Sequence, residues 1–433
     1  MKKDYQKKSA AAATVPELVM PDVVSLAMAD IADAAREGLL ALAVSAGLQV
    51  MDALMAESVT ALAGPKGRHD PNRAAVRHGD DDGSVVLGGR RVPVRRPRVR
   101  SADGERELAV PAYEVFSSTD LLERMAMERM LGKLSSRRYR VGLEPVGADV
   151  EASAKSTSKS AVSRRFVRAT ERAVAELMDA DLSQLDLVAV MIDGVHFAGH
   201  CCVVALGIDI DGVKHPLALE EGDTEDATVV RGLLAGPRAR GLDTSRPMLF
   251  VLDGAKALHS AVKSVFDVPV IQRCQLHKIR NVEAKLPKQL AKTVTAKMRA
   301  AYHSDNALTA EADLRALAAE LKKPHPGAAG SLLEGLEETL TVVRLGLPPM
   351  LRSTLRSTNA IESMIEICRD HSSNVKRWRD GDMAVRWCAA GMLEAATQFR
   401  RVKGHLHLRD LRTKLDERAD VTTSVYQDDE AAA

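Results

Sequence analysis

The sequence predicts a mixed α/β domain that carries a long all-helical segment and follows a mainly helical, locally basic region. Three observations lead there. From residue 185, Val- and Ile-rich runs alternate with helical periodicity: LDLVAVMID, AGHCCVVALGIDI and VKHPLALEEG in series, a helix at DATVVRGLLAGPRARG, MLFVLD, a helix at AKALHSAVKSVF, then VPVIQRC. From about residue 275 to 355 the strand pattern stops, and KLPKQLAKTVTAKMRAAYHS, TAEADLRALAAELKK and SLLEGLEETLTVVRL read as helices. Upstream, a helical stretch over residues 21–63 is followed by an arginine-dense ribbon.

Residues 1–20 are polar and Ala-rich, as expected of a flexible arm, and residues 65–83 read as a loop. SVVLGGRRVPVRRPRVR (84–100) alternates apolar and basic residues around Gly88-Gly89, a hairpin pattern. Arg90, Arg91, Arg95, Arg96, Arg98 and Arg100 crowd this ribbon. Such a strand could simply be a solvated edge kept soluble by charge. The density of arginines favours contact with phosphates. Residues 117–180 read as helices with short breaks, the last beginning SKSAVSRRF. Helix, turn and a helix opening with small hydroxyl and basic residues is a helix-turn-helix layout. There Lys159, Ser160, Ser163, Arg164 and Arg165 would face DNA while Val162 and Phe166 pack inward. The competing reading is a basic amphipathic helix that covers a core.

Composition narrows the class. A chain of 433 residues with 45% hydrophobic content suits a globular protein of two or three domains. Its net charge of +2 gives no global field for nucleic acid, so local charge must carry that interaction. With 3% aromatic residues it does not resemble a base-stacking single-strand binder. Five scattered cysteines do not form a disulfide framework, which fits a reducing cytoplasm. The N-terminus lacks a continuous apolar stretch of signal-peptide type. The most apolar long window, LVAVMIDGVHFAGHCCVVALGIDI, is broken by Asp193, His196 and His200 and reads as two strands, not a membrane helix.

The chemistry centres on two similar stretches, AVMIDGVHF and MLFVLDGAKAL, each an apolar run ending in Asp-Gly. Acids at the ends of adjacent strands can converge, and carboxylates that converge repel unless protonated or bridged by a cation. Oxygen donors suit Mg²⁺ or Mn²⁺. Two such ions about 3.5–4 Å apart can activate an attacking oxygen and stabilise a leaving one in phosphoryl displacement. Asp193 and Asp253 are therefore candidate ligands, with turn capping as the alternative role. A third carboxylate is expected at Glu362 in RSTNAIESM, where Ser357, Thr358 or Asn359 caps a helix and Ile361 and Met364 bracket the acid. Glu366, one turn on, is its rival. Asp209 and Asp211 suit a hairpin turn, and the acids of 220–226 suit a solvated helix cap. In CQLHKIRN, Cys274 and His277 have zinc-like spacing but lack a second pair, so packing is expected. His277, Lys278 and Arg280 lie just past a strand, within reach of a scissile phosphate. His196 has no assigned role.

These pieces, in this order, resemble the Mutator-type insertion-sequence transposases. The resemblance rests on VMIDGVHF, LALEEGDTEDATVVRGLL, FVLDGAKAL, VIQRCQLHKIRNV, GLPPMLRSTLRSTNAIESM and NVKRWRDGDMAVRWCAAGMLEA, with VRHG, the arginine ribbon, GKLSSRRY and SKSAVSRRF upstream. It covers about residue 70 to about 405. It implies an RNase H-like (retroviral-integrase-like) α/β core with an all-α insertion, and a DNA-binding region with a basic β-hairpin and a helix-turn-helix. It implies that Asp193, Asp253 and Glu362 are a catalytic DDE triad holding two Mg²⁺ or Mn²⁺ ions, with Cys274, His277, Lys278, Arg280 and Asn359 nearby. The implied activity is binding of terminal inverted repeats, strand cleavage by water, and attack of the released 3′-OH on target DNA. The implied partners are double-stranded DNA and at least a second copy of the chain, with no membrane, in the bacterial cytoplasm at the nucleoid. The expected divisions are 1–20 arm, 21–110 helix and basic hairpin, 111–180 helix-turn-helix, 185–282 first core part, 283–355 insertion, 356–410 second core part and 411–433 tail. Two other readings stay open: an inactive helix-turn-helix regulator, and an RNase H-like nuclease that cuts without joining.

Overall fold

The computed structural model describes residues 22–431 apart from 69, 156, 223 and 225, with the backbone alone given for 22–31, 34 and 420–431. The expected arm at 1–20 lies outside the described residues. The chain divides into two compact units, one of residues up to Leu122 with Leu143–Ser158, the other of Glu123–Gly142 with Lys159 onward.

In the first unit, helix α1 (Asp22–Ala63) is Ala-rich and ends where Gly64 adopts a left-handed conformation and Pro65 follows. Its stretch Ala35–Ala63 is long and apolar enough to cross a membrane by length and composition, a test that helices of soluble proteins also pass. Met55, Val59 and Ala63 are buried, the last two with Ala75, Val99 and Val110. Strands β1 (Ala75–Leu87) and β2 (Arg90–Ser101) form the expected hairpin, and β3 (Glu107–Leu108) adds a short third strand. Gly88 and Gly89, both at positive φ, make the two-residue turn between Leu87 and Arg90. The strand reaches back into the expected loop because Asp81 and Asp82 sit opposite Arg96 and Arg95, so charge pairing offsets poor strand propensity. Helices α2 (Pro111–Ser117), α3 (Thr119–Leu131) and α4 (Ala148–Ser153) follow, with α3 crossing the division between the units.

The second unit continues with α5 (Lys159–Asp179) and then a five-stranded sheet. Its strands are β4 (Leu187–Phe197), β5 (His200–Asp209), β6 (Lys214–Glu221), β7 (Met248–Leu252) and β8 (Pro269–Arg273), with α6 (Ala227–Ala239) before β7 and α7 (Lys256–Val265) before β8. The spatial order is β6-β5-β4-β7-β8, antiparallel through β4 and parallel beyond it. A mixed α/β sheet is thus what the alternating pattern produces. Asp226 caps α6 and Asp209 closes the β5–β6 turn, accepting from the backbone of Asp211 and Val213.

After β8 come α8 (Gln275–Glu283), α9 (Lys288–Tyr302), α10 (Ala307–Lys322), α11 (Pro326–Leu333), α12 (Leu336–Thr339), α13 (Thr341–Arg344) and α14 (Pro349–Leu355). Helices α15 (Asn359–Ser372), α16 (Gly381–Gln398) and α17 (Leu408–Ala431) complete the unit. Most of the expected tail, to Ala431, continues α17.

Helix α5 packs Val162 and Phe166 inward as expected and leaves Lys159, Ser160, Ser163 and Arg164 exposed. It belongs to the second unit while α4 belongs to the first. Its buried face, including Val162, Phe166 and Ala173, packs on α16, with the Phe166 and Trp387 rings 4.6 Å apart. It therefore covers a core, as amphipathic helices do.

Candidate active site

Asp193 lies within β4 and not at its end, because the strand runs on to Phe197 as half of a hairpin with β5. What stops here is the parallel neighbour. The last paired residues of β4 and β7 are Met191 and Val251. Two residues further along each chain stand Asp193 and Asp253, so the two acids reach the same level of the sheet. The pleat sets their direction. Ala189, Met191 and Val195 of β4 and Leu249 and Val251 of β7 line one core, while Val190, Ile192, Phe250 and Leu252 line the other. Asp193 continues the first set, and Asp253 follows it just past the strand. That same core holds Ile361, Met364 and Ile365 of α15, which brings Glu362, in the first turn of this helix, to the acids' side of the sheet.

Local hydrogen bonds hold each acid. Asp193 accepts from Gly194 N–H at 2.8 Å and Asp253 from Ala255 N–H at 2.9 Å. Gly254 has φ of +108°, a conformation that disfavours a side chain. Arg273 lies against it and donates to its carbonyl at 2.8 Å. Burial holds the Asp193 carboxyl above the ordinary carboxylate range, and Asp253 and Glu362 add like-charge repulsion. The Gly194 N–H and His277 act against this rise.

His277 stands beside Glu362, Nε2 to Oε1 3.9 Å. Its hydrogen bond to Cys274 raises its pKa despite burial, helped by the charges of Asp193 and Glu362. Burial pushes the Cys274 thiol up, but hydrogen bonds with His277 and Thr358 outweigh this and the net shift is downward. The Cys-x-x-His element is thus part of the acidic site. Among the described residues, no three His, Cys, Asp or Glu side chains stand as a ready metal-holding group. The donor chemistry nonetheless fits a hard cation: three carboxylates that repel one another, one with its pKa raised by burial.

Several residues fall elsewhere than expected. Lys278 is buried, and its ammonium donates to the carbonyls of Ser331 at 2.7 Å and Glu334 at 2.6 Å. It joins α8 to the helical segment and does not face outward. Burial brings its pKa down to about 8. Arg280 and Asn359 are exposed, as is the rival Glu366. His196 is exposed on β4 opposite Cys201. Cys368 and Cys388 lie in the core near Cys202, where contacts with Cys202 and Cys368, and then burial, raise the Cys388 thiol.

Of the expected DNA-facing residues, Lys159, Ser160, Ser163 and Arg164 are exposed at the start of α5, while Arg165 is buried. On the ribbon, Arg90 is buried, ion-paired with Glu151, and donates to the carbonyls of Gly88 and Glu144. Arg91 is half-buried and donates to Ser84 and the Ser117 carbonyl. Arg95 pairs with Asp82, Arg96 and Arg98 pair with Glu107, and Arg100 donates to Gly104. The ribbon's acids thus partly neutralise its arginines. Sequence reasoning missed Arg273, which is buried and reaches the carbonyls of both Gly254 and Glu334. The polar run Gln-Arg-Cys-Gln at the end of an apolar strand was its signal.

The family described as "Transposase, Mutator family" matches residues 22–401. The transposase for insertion sequence element IS6120 of Mycolicibacterium smegmatis is 31% identical over 195 residues, 44% of this chain and 59% of that protein. The transposase for ISRM5 of Rhizobium meliloti (strain 1021) is 25% identical over 370 residues, 84% of this chain and 89% of its own. The transposase for IS406 of Burkholderia multivorans is 27% identical over 347 residues, covering 78% of this chain and 83% of its own. A match over most of the length, spanning both Asp-Gly stretches and the helix of Glu362, means that this chain belongs to the Mutator family of transposases.

Proposed function

We propose that this chain is a DDE transposase that cuts DNA at the ends of an insertion sequence and joins the released 3′-OH to target DNA, in the bacterial cytoplasm and as at least a dimer. The observation that carries the reading is the register of β4 and β7, which sets Asp193 and Asp253 at one level on the face packed by α15. The strand order β6-β5-β4-β7-β8, three antiparallel strands then two parallel ones, supports an RNase H-like core with the helices after β8 as its insertion.

In this reading Asp193, Asp253 and Glu362 hold two Mg²⁺ or Mn²⁺ ions. Bound there, the ions would supply Lewis-acid activation of an attacking oxygen and stabilisation of the leaving one. The side chains do the rest. The three acids are held on separate elements, so one site draws ligands from β4, the turn after β7 and α15. His277 offsets part of the acids' repulsion. Exposed Lys159, Ser160, Ser163 and Arg164, with Arg95, Arg96, Arg98 and Arg100 of the ribbon, supply DNA-backbone contacts, exchanging ribbon carboxylates for phosphates.

The test is Mg²⁺-dependent cleavage of the element's own end, followed by joining of a pre-cleaved 3′-OH end, with Asp193→Ala, Asp253→Ala and Glu362→Ala as controls. Each variant is expected to lose both steps while binding end DNA as the wild type does. Wild-type joining by Asp253→Ala would falsify the assignment. Cleavage without joining identifies a nuclease, and end binding without cleavage identifies a regulator.

A further inference from the structure

Thr358 occupies the N-cap of α15 yet makes no side-chain capping bond. An N-cap threonine ordinarily accepts a hydrogen bond from a backbone N–H one turn in. Here the hydroxyl is turned instead to the Glu362 carboxylate, donating to Oε1 at 2.9 Å. The Thr358 hydroxyl oxygen also lies 3.4 Å from Cys274 Sγ and 3.5 Å from His277 Nδ1. A hydroxyl has one proton. The carboxylate is the closer acceptor of that proton and the Cys274 sulfur the more distant one, while the oxygen can accept from His277 Nδ1–H. Thr358 is fully buried, so water does not compete for it. Glu362 Oε2 has no hydrogen-bond partner among the described residues.

The surrounding backbone makes this hydroxyl a junction. Cys274 N–H donates to the Leu252 carbonyl, one residue before Asp253, at 2.7 Å. Gln275 N–H donates to the Arg356 carbonyl, two residues before Thr358, at 2.9 Å. The strand pair that carries Asp253 and the helix that carries Glu362 are therefore stitched together at Cys274 and Thr358.

We propose that Thr358 is a positioning residue for the third acid: its hydroxyl fixes one oxygen of Glu362 and leaves the other free for a divalent cation, and Cys274 locks that hydroxyl to the strand bearing Asp253. The inference rests on Glu362 being a metal ligand. Partners of this kind, which orient a ligand without touching the ion, change metal affinity about 10- to 100-fold when lost.

The experiment is a Mn²⁺ titration of the full chain without DNA, reading free Mn²⁺ by electron paramagnetic resonance. The variants are Thr358→Val, Thr358→Ala, Thr358→Ser and Glu362→Gln. Thr358→Val and Thr358→Ala are expected to raise the half-saturating Mn²⁺ concentration at least about tenfold. Thr358→Ser, which keeps the hydroxyl, is expected to stay within about twofold of wild type. Should Thr358→Val fail to fold, the ratio between Ser and Ala variants decides the question. Wild-type affinity in the Val or Ala variant, or equal weakening in Ser and Ala, overturns the proposal. If Glu362→Gln also binds as wild type does, the metal-ligand reading of Glu362 has failed as well, whereas loss in Glu362→Gln alone leaves that reading standing without Thr358.

Discussion

Replacing Lys278 by Met tests whether this lysine is a structural strut or a DNA contact. The ammonium is buried and held by two carbonyls of the helical segment. Burial lowers its pKa from 10.5 to about 8. Between those values the unfolded chain binds more protons than the folded one, so stability contributed through this group rises with pH. At about 1.36 kcal/mol per pKa unit, the full rise is about 3 kcal/mol. The wild type should therefore gain about 3 kcal/mol on Lys278→Met between pH 7.5 and pH 10.5. Urea unfolding followed by the fluorescence of Trp378 and Trp387, both in the same unit as Lys278, measures this at each pH. The difference between the two proteins cancels the titration of other groups. A flat difference across the range refutes the burial argument. A second reading comes from DNA binding. Loss of one phosphate contact would lower the salt slope of end binding by about 0.9, and no such change is expected.

Asp193→Asn should unfold at a higher temperature than wild type at pH 7. The raised carboxyl pKa means that the folded wild type loses stability as pH rises from the ordinary carboxylate range through the folded value, and the amide removes that loss. The gap should close as pH falls, and an unchanged melting temperature at pH 7 contradicts the argument. Arg90→Ala should destabilise the first unit by about 1–3 kcal/mol, since it removes a buried donor to two carbonyls and the ion pair with Glu151, as read by thermal unfolding of the variant. Arg95→Ala should cost less than about 0.5 kcal/mol, because its pair with Asp82 is solvent-exposed. Its effect should appear in DNA binding, as a salt slope lower by about 0.9.

The alternation of apolar runs and helical periodicity was sufficient to give the order of strands and helices from residue 185 to 273 and the helical character of the stretch after it, because burial imposes period 2 on strands and 3.6 on helices. The two Asp-Gly stretches and the helix of Glu362 were likewise visible as residue patterns. What sequence could not give was register. Only the pairing of Met191 with Val251 brings Asp193 level with Asp253, and register depends on contacts between strands far apart in the chain. Charge on a basic residue was legible; its burial was not. Arg90, Arg165 and Lys278 read as surface cations, yet each is buried, and for Arg90 and Lys278 the partners are carbonyls whose positions no local pattern encodes. The amphipathic face of α5 was plain, but whether it met DNA or α16 depended on a partner more than two hundred residues away. Local periodicity fixes the elements because it arises from neighbours in the chain. The site, the strut at Lys278 and the junction at Thr358 arise from neighbours in space, which only the folded chain brings together.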